Sequence, residues 1–142
     1  DMVCIEDIAH ALSHQCRFGG HLPVFYSVAQ HSLLTAQIVS PEHRLAALLH
    51  DASEAYLLDV PRPIKNKLSN YKEIEDVLMI LIGKKFGFKW PLHEDVKKAD
   101  EYMLLAEWDS LMIRQNNDIE PFSSKYTKQL FIKQFNELYD KG

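Results

Sequence analysis

The sequence has little cysteine and no leader-like segment. Its two cysteines, Cys4 and Cys16, form no Cys-x-x-Cys pattern, so neither a disulfide framework nor a thiolate metal site is indicated. No positively charged stretch followed by an apolar one precedes the first helical pattern, so no signal peptide is visible. We therefore expect the chain in the cytoplasm.

The sequence also lacks long apolar runs and an excess of basic residues. Its apolar stretches are too short to span a bilayer. Its formal net charge of -4 is the opposite of what a surface that binds phosphate backbones usually carries. Neither a membrane nor a nucleic-acid polymer is therefore expected as a partner. With 142 residues, 46% hydrophobic and 25% charged, the chain is expected to form one globular domain over residues 1–142.

Convincing alternation of apolar and polar residues, the pattern of a strand, is also missing. The strong periods are near 3.6 residues, which is typical of amphipathic helices. We therefore predict an all-α bundle of about six helices. The expected helices cover Ile5 to Leu12, Phe25 to Val39, Pro41 through Asp51 towards Leu58, Tyr71 to Phe86, Pro91 to Ile113, and a last segment from Ser123 or Ser124 through Leu138.

Glycine and proline separate these helices. Gly19 and Gly20 predict a loop after the first helix, where the backbone can approach a ligand closely. Pro61 and Pro63 are incompatible with a helix interior. They predict a fixed rim just beyond the third helix.

Four polar residues interrupt the apolar helical patterns. His31 lies in the second predicted helix, the adjacent His50 and Asp51 in the third, and Asp100 in the fifth. Taken singly, His31 and Asp100 are more often structural residues, and a His-Asp pair arises often by chance. Together, two imidazoles and two carboxylates form a mixed nitrogen and oxygen set that suits Zn, Mn, Co or Fe. Glu54, four residues after His50, faces the same side of a helix.

The context of these residues resembles the HD superfamily of metal-dependent phosphohydrolases. The signature of that family is a His, then an adjacent His-Asp pair, then a distant Asp on a later helix. Here the pair is followed by Ala-Ser-Glu-Ala and then by Asp-Val-Pro-Arg-Pro-Ile-Lys, and Ser-Val-Ala-Gln-His-Ser stands upstream. The combination resembles the branch that contains bacterial 5′-deoxynucleotidases and phage-type dNTP triphosphohydrolases. The resemblance extends from Ile5 to Trp108.

The resemblance implies a role for each matching residue around the metal. It implies a divalent ion, one of Zn, Co, Mn, Mg or Fe, held by His31, His50, Asp51 and Asp100. Glu54 matches the acidic residue that acts as general acid and base beside the attacking water. Asp59 matches an acidic residue that helps position the sugar or a second metal.

The resemblance also implies residues that contact the substrate, both in the loop before His31 and on the rim that contains Pro61 and Pro63. Composition alone makes Arg17 a solvated turn residue, but family members have an Arg followed by an aromatic residue at a similar distance before the ligand His. The resemblance therefore implies a phosphate contact for Arg17 and adds its neighbour Phe18. His21 is included because it lies in the same loop. Lys65 matches another phosphate-contacting position, and Lys97 is an additional candidate.

The resemblance implies hydrolysis of the 5′ phosphoester of deoxynucleotides. A dNTP would give deoxynucleoside and triphosphate, and a dNMP would give deoxynucleoside and phosphate, with dATP and dAMP favoured. The expected partners are this nucleotide substrate and further copies of the chain in a homo-oligomer. Two alternatives stay open: a metal- and nucleotide-binding HD module without catalysis, which an intact Glu54 disfavours, and a di-iron HD oxygenase. The oxygenase needs further histidine ligands, and the spare histidines follow no such pattern: His10, His14, His43 and His93.

Overall fold

The computed structural model describes residues 3–139, and this part of the chain is helical without any strand. Its α-helices are α1 (Ile5–His14), α2 (Val28–Ile38), α3 (Arg44–Leu48), α4 (Glu54–Leu57), α5 (Arg62–Lys65), α6 (Tyr71–Phe86), α7 (Glu94–Glu107) and α8 (Ser124–Tyr139). Two 3₁₀ turns, Arg17–Gly20 and Pro41–His43, and a π-helical segment, Trp108–Arg114, complete the helical structure. No helix within residues 3–139 has the length and hydropathy needed to cross a membrane. The all-α prediction is confirmed.

The described residues contain eight α-helices rather than about six, because the third predicted helix is broken into α3 and α4 and because α5 forms where no helix was predicted. The predicted segment is divided into the 3₁₀ turn Pro41–His43, then α3, then a further turn between α3 and α4, and finally α4. In that further turn the amide of Ala52 donates to the carbonyl of Leu49, and the amide of Glu54 donates to the carbonyl of Asp51, at 3.0 and 2.9 Å. These bonds span three residues instead of four, so the chain turns more tightly than an α-helix.

The rim beyond this turn also differs from its prediction. Arg62–Lys65 form a one-turn helix, α5, although Pro61 and Pro63 were expected to exclude one. The two prolines stand at the start of that turn, where the backbone amide has no helical acceptor and a proline costs nothing.

The main core is formed by residues of α1, α2, α3, α6, α7 and α8. Helix α1 packs against α2 and α8, and α2 packs also against α3 and α7. Large side chains that are fully buried there include Ile8, Leu12, Leu48, Leu49, Met79, Ile82 and Phe131. Burial on this scale is the principal stabilising contribution to such a bundle. It fixes α2 and α7, the two longest helices that carry candidate site residues.

Side-chain caps set the starts of α2 and α7. The α2 helix begins at Val28, not Phe25, because the amide of Gln30 donates to Ser27 Oγ at 3.0 Å. The α7 helix begins at Glu94, not Pro91, because the amide of Asp95 donates to His93 Nδ1 at 3.1 Å. In both cases the cap supplies an acceptor for an amide that the helix itself leaves without one.

The predicted bounds of α6 are confirmed, but the predicted cap is wrong. The helix runs from Tyr71 to Phe86 and ends at Gly87, whose φ of 94° is a left-handed conformation that glycine adopts without strain. Asn70 and Glu73 resemble a capping box in the sequence. Asn70 instead takes a left-handed conformation with φ 67°, and its side chain makes no cap hydrogen bond.

Candidate metal centre

Three parts of the fold bring four predicted ligands together. His31 comes from α2, Asp100 comes from α7, and His50 with Asp51 comes from the tight turn between α3 and α4. Ligand atoms of His31, His50 and Asp100 all lie within 4.8 Å of one another. Asp51 Oδ2 lies 3.2 Å from His50 Nε2 and 3.8 Å from His31 Nε2. The break in the third predicted helix is therefore what turns His50 and Asp51 towards the other two residues.

His50 is held in the tautomer that a metal ligand needs. Its Nδ1 lies 2.6 Å from the carbonyl oxygen of Ala47, which can only accept, so Nδ1 carries the proton. The lone pair of a neutral imidazole is then on Nε2. This atom is buried and makes no hydrogen bond of normal geometry within residues 3–139. It lies 3.4 Å from Asp100 Oδ1. A buried lone pair that faces carboxylates calls for a cation.

The pKa shifts of His50, Asp51 and Asp100 support the same fit. Burial alone would lower the pKa of His50, but the facing carboxylates of Asp51 and Asp100 raise it well above the ordinary value. Burial alone would raise the pKa of Asp51, but His50 holds it well below its usual range. Hydrogen bonds from His31 and His50 lower the pKa of Asp100 in the same way, against the effect of burial. The cluster therefore favours added positive charge, which a divalent ion supplies.

A buried carboxylate that the sequence reasoning missed, Glu107, orients His31. Glu107 Oε2 lies 2.7 Å from His31 Nδ1, while His31 Nε2 lies 2.8 Å from Asp100 Oδ1. Burial alone would raise the pKa of Glu107, but the hydrogen bond from His31 lowers it, so the carboxylate is ionised and accepts the Nδ1 proton. Such a bond from the second ring nitrogen to a carboxylate is the usual support of a ligating histidine.

Glu107 also holds two residues of the neighbouring loop. Arg17 Nε donates to Glu107 Oε1 at 2.7 Å, and Tyr26 Oη donates to Glu107 Oε2. Both carboxylate oxygens and the guanidinium are removed from most of the solvent. The sequence contains one indication of a site role for Glu107. Glu107 lies seven residues after Asp100, which is two turns along the same face of α7.

Glu54 lies next to the cluster, in surroundings that favour its protonated form. Its burial, and then the nearby charges of Asp51 and Asp59, raise the pKa of Glu54 well above the ordinary glutamic acid value. Its Oε1 is buried and makes no hydrogen bond of normal geometry within residues 3–139. Burial and Asp51 raise the pKa of Asp59 as well. A raised pKa favours the protonated form of a carboxyl, which is the form that acts as a general acid.

A cavity of about 600 Å³ opens over this cluster. Its lining includes these site residues predicted from the sequence: Arg17, Phe18, His21, Asp51, Glu54, Asp59, Lys65 and Asp100. Lys97 is exposed on α7 and is not among the lining residues. Lys65 Nζ lies 3.5 Å from Glu75 Oε2, which holds the cation on the rim. The volume is within the usual range of small-molecule sites.

Aromatic rings stand at one side of the cavity. The rings of Phe18 and Trp108 have centroids 5.4 Å apart and are tilted by 49°. Trp108 directly follows α7 and is 39% exposed. Arg17 Cζ lies 4.9 Å from the Phe18 centroid. The cavity thus combines acidic, cationic and aromatic surfaces.

Comparisons with known proteins give relatives without a stated activity. No protein-family model matches the chain. The chain is 37% identical over 152 residues to an Escherichia coli K12 protein described as uncharacterized protein YfdR, and the match covers 97% of this chain and 85% of the relative. It is 38% identical over 105 residues to an uncharacterized protein of Rhodobacter capsulatus, covering 67% of this chain and 54% of that relative.

Proposed function

The chain belongs to the family of the Escherichia coli protein YfdR, and we propose that it is an HD-type, metal-dependent hydrolase of the 5′ phosphoester of deoxynucleotides. One observation carries this proposal. Two buried histidines and two partly buried aspartates lie beside Glu54, whose pKa is raised, at a cavity that also holds Arg17 and Lys65. The order and spacing of the four ligands, which resemble the HD superfamily, support the choice of family. A cytoplasmic location is part of the same proposal.

The proposed metal would be held by His31, His50, Asp51 and Asp100. A divalent ion there, one of Zn, Co, Mn, Mg or Fe, would make a water molecule acidic enough to attack near neutral pH and would neutralise phosphoryl oxygens. Two imidazoles among four ligands favour Zn, Mn, Co or Fe over Mg.

Glu54 is proposed as the general acid and base. Its carboxyl is close enough to Asp51 to be affected by its charge, and its buried Oε1 is free to form a hydrogen bond with water or substrate. A divalent ion beside Asp51 would offset part of the negative charge that raises the pKa of Glu54, so Glu54 would be ionised when it takes a proton from the attacking water. The protonated carboxyl would then give that proton to the leaving 5′ oxygen of the sugar. The raised pKa suits the second of these steps.

Arg17 and Lys65 are proposed to bind phosphate. Glu107 fixes Arg17 through Nε, so the remaining guanidinium N–H groups keep a constant direction at the cavity wall. A fixed guanidinium loses little conformational freedom when it binds a phosphate oxygen pair. Lys65, held by Glu75, places a second positive charge at the rim. Asp59, on the same rim, is proposed to position the sugar.

Phe18 and Trp108 are proposed to contact the base. Both rings reach the cavity lining, and Trp108 keeps an exposed face. Stacking on such rings tolerates any nucleobase, because each base has a π-face. The preference for adenine therefore rests on the phage-type resemblance alone.

The proposed bond cleavage is tested by the products from dATP and dAMP. With the phosphorus nearest the sugar beside the ligand cluster, dAMP gives deoxyadenosine and phosphate, and dATP gives deoxyadenosine and intact triphosphate. Separate reactions resolved by ion-exchange chromatography check this. Early dADP or dAMP from dATP would show attack at an outer phosphate and contradict this placement of the substrate.

The same assay separates the two alternatives. A catalytically inactive module would bind metal and nucleotide without any product. A di-iron oxygenase would need oxygen, so aerobic and anaerobic assays with iron distinguish it from a hydrolase. The two histidines in the buried cluster and the adjacent Glu54 favour the hydrolase.

The proposed homo-oligomer is a dimer through α6. This helix exposes Ile74, Val77 and Leu81, which are 54%, 69% and 49% exposed and follow helical spacing along one face. The exposed Glu73 lies in the first turn of α6 and the exposed Lys84 in the last. An antiparallel pair of α6 helices covers the apolar face of each copy and brings Glu73 near Lys84 of the second copy. This complementarity fits a two-fold interface.

Size-exclusion chromatography with light scattering tests the dimer. Val77→Asp should give a monomer, because it places a charge at the centre of the apolar face. Ile113→Asp is the matched control, since Ile113 is 64% exposed outside α6. A monomeric wild type, or a Val77→Asp variant that dimerises like the wild type, would contradict this interface.

A further inference from the structure

A second group of two histidines and one carboxylate lies outside the cavity. His43 ends the 3₁₀ turn before α3, His93 caps α7, and Asp95 lies in the first turn of α7. Their ligand atoms lie within 4.8 Å of one another. Asp95 Oδ2 is 3.6 Å from His43 Nε2 and 3.7 Å from His93 Nδ1. We propose that these three residues form a second site for a divalent transition metal of the zinc class.

His93 already presents the correct ring nitrogen. The backbone amide of Asp95 donates to His93 Nδ1 at 3.1 Å, so Nδ1 holds the lone pair and Nε2 holds the proton. Nδ1 is also the ring atom that lies near Asp95 Oδ2. A metal at this position replaces one hydrogen bond and needs no change of tautomer.

The donor set determines the class of metal. Two imidazole nitrogens and one carboxylate oxygen suit zinc and its transition-metal neighbours rather than calcium or magnesium, which prefer oxygen. Glu42 Oε1, 4.0 Å from His43 Nε2, is near enough to add negative charge or a fourth ligand. The side chains of His93 and Asp95 are 55% and 51% exposed, so metal can reach the site from solution. We expect weaker binding than at the buried cluster.

A second stacked histidine pair provides the matched control. His10 and His14 have ring centroids 4.1 Å apart, the same separation as His43 and His93. His14 Nδ1 lies 2.7 Å from the carbonyl of His10, and Lys128 Nζ lies 3.2 Å from His10 Nδ1. Among residues 3–139 this pair has no carboxylate that completes a group of three ligands. A neighbouring ammonium and the missing carboxylate exclude it as a comparable site.

The location of the site gives it a consequence for the fold. His43 directly precedes α3, which leads to His50, and Asp95 lies five residues before Asp100 on α7. A metal between them joins the two segments that deliver ligands to the buried cluster. Metal bound only in the folded state stabilises that state. This inference does not depend on the proposed hydrolysis.

Zinc titration of the chelator-treated chain tests the site. Isothermal titration calorimetry should show two equivalents in the wild type, one tight and one weaker. His93→Ala and Asp95→Asn should weaken the second equivalent by about tenfold or more, since even an outer-shell change has effects of this size on metal affinity. Asp95→Asn keeps the size of the side chain and the capping amide. His10→Ala should bind both equivalents as the wild type does.

A second measurement covers variants that fail to fold. In the wild type, the ring signals of His43 and His93 in nuclear magnetic resonance spectra should shift with the second zinc equivalent, while those of His10 and His14 stay in place. The proposal would be overturned if His93→Ala and Asp95→Asn bound both the tight and the weak zinc equivalent with the affinities of the wild type. It would also be overturned if the ring signals of His43 and His93 did not respond to zinc.

Discussion

The protein contains two groups of histidine and aspartate residues with similar atoms and very different surroundings. In the buried group the side chain of His31 has no exposure, and the side chain of Asp100 is 33% exposed. In the surface group the side chains of His93 and Asp95 are both more than half exposed. Outer hydrogen bonds support each buried imidazole, through Glu107 for His31 and through the Ala47 carbonyl for His50.

The difference shows what burial adds to a set of ligands. At the surface, water screens the charges, and the group is stable with or without a cation. In the interior, the two carboxylates and the lone pair of His50 oppose one another unless positive charge is present. We therefore expect the buried group to determine tight metal binding, activity and a large part of the metal-dependent stability.

The largest expected effect comes from removing a buried ligand. His50→Ala or Asp51→Ala should abolish both tight metal binding and deoxynucleotide hydrolysis, because each removes one of four ligands. Elemental analysis after gel filtration and a deoxyadenosine release assay measure the two effects. His10→Ala is the control and should match the wild type in both. Stoichiometric tight metal in both ligand variants would show that the site is assigned wrongly.

Removing the proposed proton carrier should separate catalysis from metal binding. Glu54→Gln keeps the shape of the side chain but cannot exchange a proton, so kcat should fall by about 10²-fold or more. Metal content should stay the same, because Glu54 is not one of the four ligands. Steady-state kinetics with metal analysis on the same sample checks both. If kcat is unchanged, Glu54 has a structural role and the attacking water needs another base.

Removing the outer support of His31 should have a smaller effect. Glu107→Gln loses the ionised acceptor of the His31 Nδ1 proton and one charge facing Arg17. Metal affinity should fall by about 10- to 100-fold, the range seen for outer partners of ligating histidines. The exposed Glu137→Gln on α8 is the control, because Glu137 lies outside both groups of ligands. Zinc competition with a chromophoric chelator measures the affinities, and equal values for Glu107→Gln and the wild type would refute a supporting role.

The smallest expected effect is a change in metal stabilisation with pH. The raised pKa of His50 means that its protonated form stabilises the metal-free fold at low pH, and that this contribution is lost as the pH rises through the folded pKa. Metal needs the neutral form. The rise in Tm on adding metal should therefore be larger at about pH 8 than at about pH 6, on either side of the free histidine value. Differential scanning calorimetry with metal and with chelator measures this, and a larger rise at the lower pH would contradict the role of His50.

The sequence predicted those features that have a local signal. The bounds of α6 follow from its apolar period and Gly87, and His31, His50, Asp51 and Asp100 were recognised because they interrupt such periods. The tight turn after α3 was missed, because the apolar period continues through it and does not show that the His50 ring bonds to the Ala47 carbonyl.

The missed residues depend on contacts between distant parts of the chain. Glu107 is defined by bonds to Arg17, Tyr26 and His31, all on other elements. His43 and His93 stack across 50 positions of sequence. A period along one helix contains no information about such partners, although the spacing of Glu107 from Asp100 placed both on one face.

The most direct test of the proposed function is hydrolysis of dATP in ¹⁸O-labelled water by the metal-reconstituted chain. Attack at the phosphorus nearest the sugar should give unlabelled deoxyadenosine and triphosphate that carries one ¹⁸O atom, as resolved by mass spectrometry. Label in deoxyadenosine would show attack at carbon instead of phosphorus. Labelled phosphate with dADP, or no product from a chain that holds its metal, would contradict the proposed function.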